Sequence, residues 1–270
     1  MTARASSSVE GSRGYYVYGV VEAGTPPFDA PGMDEGHAPR MLVEGRLAAL
    51  VGEISLAEFG EEALEENLAR PDWLEQKVRA HEAVLEAALR VGPVLPFRFG
   101  TVYVSEEHVS EMLAREAEAL AASLARVRGK REWGVKGFVD FARLAESLQT
   151  PEPTPAAAVE TQTGAAYLDR RRLEQRVREG ADRTTLEIAS DAHARLAARA
   201  AEAALNPPPR AQPRGGQLFF NGVYLVENGR EEELRQVVRE LSEQYRDRGV
   251  RFGVTGPWPP YNFVEREVAG

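Results

Sequence analysis

From Trp133 to Thr255 the chain runs as strand, long helix, strand or hairpin, helix, strand, and few folds can accommodate that order. The apolar run from Trp133 to Phe141 is the first strand. Helical periodicity rich in Ala, Arg and Glu then extends from about Ala165 to Leu205, where Asn206 and three prolines stop it. Leu218 to Val226 reads as a strand, or a tight pair pivoting at Asn221-Gly222. Asn228-Gly229 turns the chain into a helix with Glu231, Glu232 and Glu233 in its first turn and Arg246 and Arg248 in its last, which complements the helix dipole at both ends. Leu234, Val237, Val238, Leu241 and Tyr245 form its expected buried face. Gly249 ends it and Val250 to Thr255 is the last strand. This is the order of a split βαβ, ferredoxin-like domain, with two helices on one face of an antiparallel sheet.

The first half predicts a related α/β layer. Tyr15 to Val21 is a compact aromatic and β-branched run, hence a strand, and the Pro- and Gly-rich stretch to Arg40 is a loop. Leu47 to Ile54 resumes a strand, and Ser55 to Asn67 is a short acidic helical connection. Pro71 suits a first helical position, and Leu74, Val78, His81, Leu85 and Leu89 recur on one face until Gly92-Pro93. Val94 to Val104 has strand composition. Ser105 caps a helix whose stripe is Val109, Leu113, Ala117, Leu120, Leu124 and Val127, ending at Gly129. The expected fold class is therefore α/β of the α+β kind in two domains. A mixed α/β domain spans 1–130, with residues 1–14 a disordered tail. A ferredoxin-like domain with a long helix spans 131–270, with the proline-rich Thr150–Pro155 stretch inside an internal loop, 146–163.

Composition narrows the function. The 270 residues carry a formal net charge of -9, so nucleic acid and anionic membranes are disfavoured partners. There is no cysteine, which removes disulfides, thiolate metal sites and thiol nucleophiles together. The N-terminal stretch lacks the apolar core of a secretory signal and no run is long enough to span a membrane, so a cytoplasmic protein is expected. His37, His81, His108 and His193 lie on separate segments with no metal-ligand spacing, and no nucleophile elbow or phosphate-binding glycine loop occurs. The expectation is no catalytic residue, no metal and no cofactor. His81, on the apolar face of its helix, reads as a packing histidine. The Arg170-Arg-Arg172 run reads as a solvated or salt-bridged helix face.

Two segments stand out as candidate partner contacts. In Pro96-Phe-Arg-Phe-Gly100 a strand would place Phe97 and Phe99 on one face and Arg98 on the other. That suits either a core strand with a surface charge or an arginine held for a bidentate carboxylate pair. In Gly256-Pro-Trp-Pro-Pro-Tyr-Asn-Phe-Val264 the prolines fix an extended path. Trp258, Pro259, Pro260 and Tyr261 then either lie across the protein's own domain seam or offer anchors to another chain.

These segments carry a resemblance. YYVYGVV at 15–21, HEAVLEAAL at 81–89 leading into GPVLPFRFGTVY at 92–103, EWGVKGFVD at 132–140, LFFNGVYLVE at 218–227 and GPWPPYNFV at 256–264 together resemble the gas vesicle protein L/F family over nearly the whole chain. The resemblance implies a cytoplasmic, non-enzymatic accessory protein of gas vesicle formation. Its C-terminal half would be a modified ferredoxin-like domain, and its partners would be the apolar shell protein and other gas vesicle proteins. Two other readings compete. One is a small-molecule-binding or enzymatic protein with an interdomain pocket near Arg98 and His81. The other is single-stranded RNA binding on the sheet through Phe219, Phe220 and Tyr224, which lacks the basic surroundings such a surface needs.

Overall fold

The computed structural model describes residues 13–34, 36–148, 164–207 and 216–264. The chain divides into two compact units, Met1–Arg131 with Trp258–Gly270, and Glu132–Pro257.

The first unit is built on a 5-stranded antiparallel sheet. Its strands are β1 (Arg13–Glu22), β2 (Arg40–Glu44), β3 (Leu47–Ser55), β4 (Val94–Pro96) and β5 (Val102–Tyr103), in the order β2-β3-β1-β4 with β5 also on β1. The aromatic and β-branched run of β1 occupies the centre because both its faces can be buried: Tyr16, Val17, Tyr18, Val20 and Val21 are all at 0% exposure. On one face lie the short helices α1 (Leu56–Phe59) and α2 (Glu61–Leu68) and the long α3 (Pro71–Val91). There Phe59, Trp73, Val84, Leu85 and Ala88 pack with Tyr16, Tyr18, Leu50 and Ile54. The residues of opposite parity, Val17, Ala49 and Val51, are equally buried. The strands on that side meet α4 (Glu106–Arg115) and α5 (Ala117–Val127). Ser105 caps α4, its side chain accepting from the His108 amide as the sequence predicts.

Four local expectations change here. Arg13 and Gly14 belong to β1 and not to the tail, of which residues 1–12 lie outside the described residues. Arg40–Glu44 is a strand, paired to β3 through a two-residue turn in which Gly45 takes φ 58°. The helix expected from Ser105 to Gly129 breaks at Glu116, where neither glycine nor proline marks the break. The strand expected over Val94–Val104 is interrupted. β1 shifts register between Val17 and Gly19, and its partner edge splits into β4 opposite Gly19–Val21 and β5 opposite Tyr15 and Tyr16. Phe97–Thr101 leaves the sheet as a loop held by Phe97 N to Tyr18 O, 2.9 Å, and Val17 N to Thr101 O, 2.9 Å. The chains approach so closely that a Cβ at Gly19 would sit 2.3 Å from the Leu95 carbonyl oxygen.

The second unit contains β6 (Lys130–Val139), α6 (Phe141–Leu148), α7 (Gly164–Ala197), β7 (Glu202–Leu205), β8 (Gln217–Glu227), α8 (Glu231–Gln244) and β9 (Val250–Trp258). Its 4-stranded sheet has the order β7-β8-β6-β9, which with α7 and α8 gives the split βαβ pattern. One face carries the core: Trp133, Val135 and Val139 of β6, Tyr224 and Val226 of β8, and Ile188, Ala192, Leu196, Leu234 and Leu241 of the two helices. Arg195 of α7 reaches Gln244 at 2.9 Å and Glu240 at 2.8 Å on α8, tying the helices together at the surface.

The long helix stops at Ala197, and Glu202–Leu205, which reads as helix from its alanines, is an edge strand paired with β8. β8 runs straight through Asn221-Gly222; Gly222 is needed because the Tyr224 ring lies over it, with the hydroxyl 2.5 Å from where a Cβ would be. Arg246 and Arg248 sit in a 3-10 turn after α8, closed by Gly249 at φ 72°. Of the internal loop 146–163, residues 146–148 end α6 and the rest lies outside the described residues. The sequence also placed everything after residue 131 in the second domain. The segment from Trp258 instead groups with the first unit, where Pro259, Pro260, Phe263 and Val264 are buried.

Candidate functional site

Both segments singled out from the sequence meet His81. Its position at 2% exposure follows from the apolar period of α3, which turns it inward beneath β1. Around the ring lie Tyr18, stacked at 5.9 Å, and Tyr16 and Phe99, edge-on at 5.7 and 5.9 Å. The Tyr16 hydroxyl is 2.9 Å from Nδ1 and the Tyr261 hydroxyl is 3.1 Å from Nε2. Tyr261 also donates to Glu82 Oε1 at 2.8 Å, and the Gly100 amide donates to the Tyr16 oxygen at 3.1 Å.

Proton counting fixes the direction of this chain. With Glu82 ionised, Tyr261 spends its only proton on the carboxylate and must accept from His81 Nε2–H. A neutral ring then has a bare Nδ1, which accepts the Tyr16 proton, and Tyr16 accepts from Gly100. Burial supports the neutral ring, lowering the His81 pKa from 6.5 to about 4 against a smaller opposing influence of the Phe97 backbone, which favours the charged ring. Burial likewise pushes Glu82 up, with the Tyr261 bond opposing and Glu86 adding to the rise. Its Oε2 is buried and makes no hydrogen bond. Burial also raises the phenols of Tyr16 and Tyr18, the latter to about 12. The cluster is thus an internal polar network at neutral pH, with no imidazole lone pair left for a substrate.

The proposed anchors divide by exposure. Phe97 is at 1% and Phe99 packs against the core, so both rings are spent internally, and they do not share a strand face because the loop has left the sheet. Pro259 and Pro260 are buried. Arg98 is exposed, and among the described residues its guanidinium meets no carboxylate. Trp258 and Tyr261 are 38% and 37% exposed. Arg98, Trp258 and Tyr261 thus each leave part of their side chain open to solvent. Among the described residues no cluster of His, Asp or Glu could hold a metal ion. Phe220 and Tyr224 lie in the core under the helices, which removes two of the three rings an RNA-reading surface would use. Arg171 is exposed on α7; the side chains of Arg170 and Arg172 lie outside the described residues.

Sequence reasoning missed Glu82 and the hold on the loop before β2. Met33 is 3% exposed; its amide donates to the Tyr18 hydroxyl at 2.7 Å and its carbonyl accepts from Lys77 at 2.9 Å. Lys77 also pairs with Glu58 at 3.0 Å and lies over the Phe59 ring at 5.3 Å. The only sequence signal was a lysine one turn before His81 on the same helix.

The two antiparallel sheets with their helices define a mixed α/β protein. The chain belongs to the family described as Gas vesicle synthesis protein GvpL/GvpF, whose sequence pattern matches residues 14–265. It is 33% identical over 253 residues to Gas vesicle protein L of Streptomyces sp. (strain CB03234), covering 92% of each chain. It is 30% identical over 259 residues to Gas vesicle protein F of the same organism, covering 93% of this chain and 99% of that one. The fold is similar to that of the gas vesicle protein GvpF from Anabaena sp. PCC7120, with a TM-score of 0.69 at 20% identity over 94% and 97% of the two chains. GvpF from Microcystis aeruginosa gives 0.66 at 21% identity over 93% and 99%. Among the described residues no helix is long and apolar enough to cross a membrane.

Proposed function

We propose that this protein is a cytoplasmic, non-enzymatic accessory of gas vesicle formation that binds the shell protein and other gas vesicle proteins during assembly. Family membership over residues 14–265 is the observation that carries the reading. The site adds physical support: both nitrogens of the buried histidine are committed to tyrosines, and the outward groups nearby are an arginine and two part-exposed rings. Arginine and aromatic residues are the types enriched among protein-contact anchors. On a chain of net charge -9 the exposed Arg98 gives a locally attractive point for a carboxylate. Arg98, Trp258 and Tyr261 are therefore the proposed docking residues, with Phe97, Phe99, Pro259 and Pro260 shaping the backbone beneath them.

Covering about 300 Å2 of apolar shell-protein surface would be worth about 7 kcal/mol before association costs, which suits a reversible carrier. The test is the amount of shell protein kept soluble when the two are expressed together. The soluble fraction rises with this protein present; an unchanged fraction refutes the carrier role.

A further inference from the structure

We infer that Tyr261 acts as a latch on the Arg98 loop: the C-terminal segment and the loop Phe97–Thr101 are opposite ends of one hydrogen-bond chain through the core, so seating the one fixes the other. The chain runs Gly100 amide, Tyr16 hydroxyl, His81 ring, Tyr261 hydroxyl, Glu82 carboxylate, with distances of 3.1, 2.9, 3.1 and 2.8 Å. Every hydroxyl in it donates once and accepts once, so the four bonds form in one sense only while the ring is neutral and Glu82 ionised. Removing the Tyr261 oxygen leaves Nε2–H without that acceptor and Glu82 Oε1 without its donor, beside an Oε2 already lacking one. The ring then gains by turning its proton toward another acceptor, or by shifting it to Nδ1, where it would donate to the Tyr16 oxygen and turn that hydroxyl's own proton away. Either response changes the bond that holds Gly100.

The loop is built to register such a change. It has left the sheet, and Gly100 sits at φ 89°, a conformation that side chains rarely adopt. The bond from Gly100 to Tyr16 is its tie to the core from the middle of the turn, which is otherwise closed by Thr101 N to Arg98 O at 3.2 Å. In the C-terminal segment Pro259, Pro260, Phe263 and Val264 are buried, and the Tyr261 hydroxyl meets the histidine and Glu82. A partner gripping the exposed ring of Tyr261 would therefore be felt at Arg98. The coupling stands on geometry alone; only its use in regulating docking rests on the accessory-protein reading.

The neighbouring core supplies an internal control. The Met33 amide donates to Tyr18, which stacks on the same histidine but is bonded to neither of its nitrogens. In amide hydrogen exchange of the full chain, Tyr261→Phe is expected to speed exchange at Gly100 by about five- to tenfold, the worth of one lost net hydrogen bond, while Met33 changes less than twofold. His81 15N shifts are expected to leave the pattern of a single Nε2–H tautomer in the variant. Unchanged exchange at Gly100 with unchanged ring shifts overturns the proposal. So does equal acceleration at Gly100 and Met33, which would mean general loosening of the core. Loss of shell-protein binding is not read in this experiment, so it can succeed or fail independently of the proposed function.

Discussion

Acid should weaken this protein through His81, and the size of the effect follows from its burial. In the unfolded chain the imidazole takes a proton near 6.5; in the folded chain it stays neutral down to about 4. Between those values the unfolded state binds the extra proton, so stability rises with pH across the window and is lost as pH falls from 6.5 to 4. At about 1.4 kcal/mol per pH unit the interval is worth about 3 kcal/mol, and at 2% exposure solvent screening removes little of it. Glu82 acts in the opposite sense. Its folded pKa is raised above 4.5, so its ionisation costs stability as pH rises past that value, and its protonation offsets part of the histidine loss at the acid end. The assay is urea unfolding from pH 7 to 4, followed by the fluorescence of Trp73, a buried ring of the first unit, in a Trp133→Phe, Trp258→Phe background with and without His81→Phe. Phe keeps an aromatic ring, a larger one, and loses two hydrogen bonds, so the variant is less stable at pH 7 but its curve is flatter by about 2 to 3 kcal/mol over the window. Parallel curves would show that the histidine is not held neutral and would refute the reasoning.

Further outcomes follow from packing and ionisation. Gly19→Ala drives a Cβ into the Leu95 carbonyl at 2.3 Å and should cost at least about 2 kcal/mol by parting β1 from β4, read as a lowered urea midpoint. Ile188→Ala, emptying a 2%-exposed position of α7 in the core of the second unit, should cost about 2 to 4 kcal/mol measured by chemical unfolding. Above pH 10 the unfolded chain loses phenolic protons that Tyr16, Tyr18 and Tyr224 keep when folded, so the unfolded state binds fewer protons and stability falls with rising pH. Thermal melts between pH 9 and 11 check this, a flat response contradicting it.

What could be read in advance depended on how far each signal was local. Apart from α6, which begins at Phe141 where a strand was expected, the order of strands and helices from Trp133 on was legible because the periods of 2 and 3.6 are written in neighbouring residues, as on α8 with Leu234, Val237, Val238 and Leu241. β7 was not, since Glu202–Leu205 has helical composition and becomes strand only by pairing with β8. The excursion at Phe97 depends on a register shift in β1, nearly eighty residues earlier, that no local pattern marks. The site was legible in its parts. His81 was placed on the right face, and the two aromatic segments were picked out. Their meeting through Tyr261 and Glu82 links residues separated by 179 positions, which spacing cannot reveal.

The most direct measurement is the affinity of the purified protein for the gas vesicle shell protein, comparing wild type with Arg98→Glu and Trp258→Ala. Leu186→Ser, at an exposed position on α7, serves as a control in the second unit. The account predicts binding by wild type and the control, weakened by about tenfold or more in each of the two first-unit variants while their urea midpoints stay within the wild-type range. Equal binding by all four would move the contact away from this surface, and no binding by wild type would contradict the claim that the protein carries the shell subunit.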